Sequence, residues 1–175
     1  MTTQTSFILK AMNVLFWVIF IGLCIKTGAI LISFSVSLFV NPAGANNLYL
    51  GLNLSNLLAF NKMHYVSIVS YIILINGLKA YIAYLVVKIF LKFKLSNPFD
   101  ANITSLISEI SYVALVTGIL AIVASGYSDW LAQKGIVIPQ DWGGGEILFF
   151  AGVIYIIAQV FRKGTEIQTE NDLTV

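Results

Sequence analysis

Four apolar stretches, three of them long enough to cross a bilayer unaided, leave this chain few ways to fold. They cover residues 9–40, 65–93, 103–131 and 147–161. A helical span needs about 20 predominantly apolar residues. The fourth stretch is the shortest and needs help from Gly145 and Glu146, or from the start of the tail. Only 10% of the residues are charged and 58% are hydrophobic. A soluble domain carries roughly 25% charged residues, so this chain cannot cover its own surface with polar groups. The expected class is all-α: a polytopic membrane protein, one domain of residues 1–175 built as a bundle of four transmembrane helices, with the lipid bilayer as its first partner. The first stretch is too long, and too poor in a small-residue cleavage site, for a secretory signal. It reads as a retained helix that tilts or projects.

The connections and their charges set an expected orientation. Asn41-Pro42 ends the first span, and a half-apolar outer loop fills 41–64. Asn97-Pro98-Phe99 turns the chain between the second and third spans, with Asn102 as N-cap of the third. Pro139 and Gly143-Gly144-Gly145 break it before the fourth. Lys10, Lys88, Lys92, Lys94, Arg162 and Lys163 fall on one side, and Lys62 and Lys134 on the other. That bias places both termini in the cytoplasm and the chain in a bacterial inner membrane. Trp130 and Trp142 suit an outer interfacial belt.

Two cations contradict the apolar pattern. Lys26 and Lys79 lie mid-span, roughly 16 residues or ~24 Å from the nearest interface. An ionisable group at such depth costs at least ~2.5–3.5 kcal/mol and marks a functional site by default. Helical spacing puts Gly22, Lys26, Ala29, Ser33 and Ser37 on one face, and Asn76, Lys79, Ala80 and Ala83 on another. Ser111, Ala114, Gly118, Ala121, Ser125 and Asp129 make a third stripe, and Gly145, Gly152, Tyr155 and Gln159 a fourth. Small and polar stripes are what membrane helices pack through. Lys26, Lys79, Asn76 and Ser33 therefore form the candidate ligand or anion site. No carboxylate is expected at their depth. The lysines either snorkel, bond to backbone and water, or hold an anion between them. Lys88 and Glu109, at similar depth near the second turn, are expected to pair.

Enzyme chemistry has no visible footing. Cys24 and His64 are single and apart, so neither a disulfide framework nor a metal site is expected. Gly143-Gly144-Gly145 runs into Glu146, the wrong sign for a phosphate at a helix start. No HExxH or GxSxG motif occurs, and no paired acids stand at membrane depth. The expectation is a non-enzyme without cofactor, and without the clustered basic face that direct nucleic-acid binding needs.

Ile21-Gly22-Leu23-Cys24-Ile25-Lys26, Leu78-Lys79-Ala80-Tyr81, Asn97-Pro98-Phe99 and the run from Phe161 to the ending Glu170-Asn171-Asp172-Leu173-Thr174-Val175 occur together here. In these the chain resembles, over nearly its whole length, the bacterial four-helix membrane proteins grouped as domain-of-unknown-function family 2975. The resemblance implies no established activity. It does imply a regulatory association, because such proteins are often encoded beside small helix-turn-helix DNA-binding regulators. On that reading the acidic tail 162–175 is a docking segment, with Glu166, Glu170, Asn171, Asp172 and Leu173 as its contacts. A solute binder or transporter built on Lys26 and Lys79, or a structural membrane subunit, are the other readings.

Overall fold

The computed structural model describes the backbone of residues 3–93 and 99–172, and the side chains of 7–93 and 99–170. It is all helical. Helix α1 (Thr3–Phe39) leads into a 3-10 turn (Pro42–Asn46) and a short helix α2 (Ser55–Phe60). Three long helices follow: α3 (Lys62–Lys92), α4 (Ala101–Gln133) and α5 (Gly144–Asp172). Helices α1, α3, α4 and α5 are each long and apolar enough to cross a membrane. Asn97, Pro98 and Lys94 lie outside the described residues.

Local chemistry explains the helix limits. The Asn61 side chain accepts the backbone N–H groups of Met63 and His64 and so starts α3. At α4 the cap is Asp100, not Asn102: its carboxylate accepts the Asn102 N–H at 2.7 Å. The helix begins two residues before the apolar run, because polar residues can extend a helix into the headgroup region. Helix α5 does the same at its far end. It does not stop at Phe161 but continues through Gly164 to Asp172. Gly164 is required there by proximity, since a Cβ on it would stand 2.5 Å from the Phe99 ring.

Consecutive spans run antiparallel. Phe16 meets Phe90 and Phe20 meets Tyr84 across α1 and α3, while Ser37 meets Tyr65 at the other end. Tyr81 reaches Glu109 and His64 reaches Tyr127 across α3 and α4. Thr104 meets Thr165 across α4 and α5. Among the described residues, α1 packs on α3, α3 on α4 and α4 on α5, and no other two spans approach. The bundle is thus an open series, with most of α1 left uncovered by the other helices.

The connections supply what the helices leave out. Gly144 packs on Ile122, where a Cβ would meet Ile122 Cγ1 at 2.8 Å. From Ile122, α4 runs on to Gln133, about 16 Å further. Residues 134–143 must descend over that length before α5 can begin. Their Ile138 and Trp142 join the main core with Ile30, Ala45, Leu48, Leu54, Leu57, Tyr65, Ile68 and Leu131. Irregular backbone at such depth is tolerated where protein buries it. Trp142 therefore leaves the interfacial belt expected of it and is buried, donating its indole N–H to Ser128 Oγ at 3.0 Å. Trp130 stays exposed.

The small-residue stripes fare unequally. Ser111, Ala114, Gly118 and Ala121 are buried, but Asp129 at the end of that stripe is exposed. On α5 the expected face Gly145, Gly152 and Tyr155 is exposed, and Ala151 and Ala158 are buried instead. Both faces of α5 carry small residues, and the close approach at Gly144 selects the second one.

Candidate functional site

Lys26 from α1, and Asn76 and Lys79 from α3, meet at the antiparallel α1–α3 seam. They line one chamber of about 30 Å³ with Ile72, Ile75 and the descending residues Gln140, Asp141 and Trp142. A carboxylate does reach these lysines. Asp141, an exposed residue on the connection before α5, lines the same chamber, although no carboxylate is expected at that depth. Lys79 lies within electrostatic reach of both Lys26 and Asp141.

Each lining group has an identifiable holder. Asn76 is buried and donates its amide to the Ile72 carbonyl at 2.7 Å. Gln140 donates to the Asp141 carbonyl at 2.6 Å. The Asp141 carboxylate accepts the Gly143 N–H at 3.0 Å, so its first obligation is to the approach of α5. Gly143 has φ +61, a left-handed turn that a side chain would disfavour. Among the described residues neither lysine ammonium has a hydrogen bond or an ion pair within 4 Å.

Lys26 also faces a second, wider chamber of about 320 Å³ lined by Tyr49, Leu50, Gly51, Leu52, Pro139 and Gln140. The rim is a tight loop: Leu48 N–H donates to Leu52 O, and Gly51 N–H to Asn47 Oδ1. Leu50 has φ +44 and its side chain is 85% exposed. A non-glycine residue held in the left-handed region stores strain, and such strain clusters at binding sites.

Two expected members are elsewhere. Ser33 does not line the chamber. It lies two helical turns away under the 3-10 turn, where a Cβ on Gly44 would stand 3.2 Å from the Ser33 carbonyl oxygen. Lys88 and Glu109 do not pair. Lys88 Nζ sits 4.5 Å from the Tyr84 ring centroid, and Glu109 accepts the Tyr81 hydroxyl at 2.5 Å. Glu109 is thus level with Tyr81, leaving Lys88 seven residues or ~10 Å further along α3. His64 finds its partner in Tyr127 OH at 2.5 Å, stacked against Phe60 with Trp130 at the edge.

The opposite end carries the tail. Thr165 Oγ bonds Phe99 O at 3.0 Å and Thr104 Oγ at 2.9 Å, tying α5 to the start of α4. Lys163 and Glu166 pair at 3.0 Å on the exposed side. Glu109, Arg162, Glu166, Thr169 and Glu170 line a groove of about 840 Å³ between the two helices. Asn171 and Asp172 are helical in backbone, while their side chains and all of Leu173 lie outside the described residues.

Four long apolar helices, packed in series with a partly buried polar cluster at the α1–α3 seam, define a multi-pass integral membrane protein. Residues 37–175 match the family model described as a protein of unknown function (DUF2975), and the chain belongs to that family. Lys79, Asp141 and the tail fall inside the matched stretch, and Lys26 lies ahead of it. No curated protein and no solved structure matches the chain.

Proposed function

We propose that this protein is a non-enzymatic regulator in a bacterial inner membrane, with both termini cytoplasmic, that holds a small helix-turn-helix DNA-binding regulator at the acidic end of α5. One observation carries the reading: α5 passes the basic anchor Arg162-Lys163 without a break and reaches Asp172 as ordered helix. A solvated tail has no need of the Thr165 bonds that fix its first turn to α4. The orientation follows from Lys10, Lys88, Lys92, Arg162 and Lys163, which cluster at this end.

The chemistry of docking is electrostatic. DNA-binding regulators carry a basic face for phosphate, and Glu166 and Glu170 offer that face an alternative anion. Complementary charge speeds encounter and sets specificity, so an occupied regulator is kept from its DNA. The protein itself need not touch nucleic acid. Co-purification with the adjacently encoded regulator tests this, comparing the full chain with one lacking residues 166–175. Capture should fall at least tenfold in the shortened chain and weaken with added salt. Equal capture by both would refute docking through α5.

A further inference from the structure

The lysine cluster is a second site, independent of any partner. We propose that Lys26 and Lys79 bind one small monoanion, of chloride or carboxylate size, in competition with the Asp141 carboxylate. Two ammonium groups face one carboxylate in the chamber, which leaves one positive charge uncompensated. That carboxylate is committed to the Gly143 N–H and stands beyond 4 Å from both lysines. Six ammonium N–H donors therefore have no protein acceptor, a costly arrangement for partly buried cations. A monoanion satisfies both the charge and the donors.

Size and surroundings narrow the ligand. A chamber of about 30 Å³ admits a chloride ion or a carboxylate headgroup; one water needs ~10–15 Å³ on this measure. The wider chamber on the other side of Lys26, walled by Tyr49, Leu50, Leu52, Pro139 and Gln140, has room for a short tail. The two sources share one headgroup chemistry. Because Asp141 lies three residues before Gly144, an anion that displaces it acts directly on the start of α5.

The experiment uses the purified full chain in detergent, melted in sodium chloride, formate or butyrate. Sodium isethionate, which supplies neither chloride nor a carboxylate, holds ionic strength constant. A saturable rise in Tm of about 2–4 °C is expected for at least one anion. Lys26→Gln and Lys79→Gln should abolish it, and Asp141→Asn should lower the half-saturating concentration roughly threefold or more. A stronger response to butyrate than to formate assigns an organic carboxylate, and equal responses assign a free small anion. Lys26→Arg, which keeps the charge, retains binding, and chloride-35 line broadening displaced by formate reads occupancy without melting. No saturable response to any of the three anions, or a response unchanged in both glutamine variants, overturns the proposal.

Discussion

The two ends of this bundle are built on opposite principles. At the loop end, non-helical chain is driven inward. Trp142, Ile138, Leu48 and Leu54 fill the space between α1, α3 and α4, and the Ser37 and Tyr65 hydroxyls bond at 2.6 Å inside. At the basic end no loop is packed inside: a smaller core of Leu85, Leu106 and Ile110 forms between the helices, and Thr165 and Phe99 tie α5 to the start of α4. Interior contacts hold the lysine chamber in shape, whereas few contacts hold the acidic segment. The contrast suits a rigid receiving site at one end and an adjustable surface at the other.

That contrast can be broken in graded steps. Trp142→Ala should have the largest effect, about 3–5 kcal/mol, because it removes a buried indole and its bond to Ser128. The melting temperature in detergent should fall by ~10 °C, and the anion response should vanish with it. Regulator capture by the surviving folded protein should change little. Tyr65→Phe comes next, at about 1 kcal/mol, since it removes the buried bond to Ser37 and leaves that hydroxyl only the Phe34 carbonyl. Thr165→Val tests the other end: a loss of about 1 kcal/mol, weaker regulator capture and an unaltered anion response. Capture that survives Thr165→Val unchanged would detach docking from the α4–α5 junction.

The smallest expected effect is a pH dependence at the start of α4. The backbone N–H of Asn102 holds the Asp100 carboxyl below its ordinary range, with help from the Asn102 side chain. A depressed folded value means that the cap contributes fully above the unfolded value of about 3.9 and fades as pH falls through the folded one. Asp100→Asn keeps an acceptor and should flatten the melting profile between about pH 5 and pH 3 relative to wild type. An identical acid limb in both proteins would remove Asp100 from that dependence.

Much of this architecture is legible in composition and spacing. Apolar run lengths give the four spans, because a bilayer admits few alternatives. The shared faces of Lys26, Asn76 and Lys79 follow from helical periodicity, which is local. What escapes is non-local. Asp141, Gln140 and Trp142 reach the chamber only because α5 starts about 16 Å short of the end of α4, and no periodicity reports the path of a connection. Depth alone also misleads for Lys88 and Glu109, where relative height along paired helices decides contact and nearby tyrosines take both groups. Ser33 has the right phase but belongs to the next two turns, under the 3-10 segment.

The serial packing of the spans bears on how the protein is made. Each long helix after α1 rests on the one just before it in the chain, so every span meets its neighbour as soon as it leaves the ribosome. Local partners of this kind assemble quickly and without waiting for distant chain. Trp142 is the exception. Its pocket is complete only when α3, the outer loop and α4 are all in place, so the 134–143 connection cannot seat until three earlier elements have come together. The lysine chamber, which Trp142 lines, is accordingly absent until chain from both sides of α4 has come together.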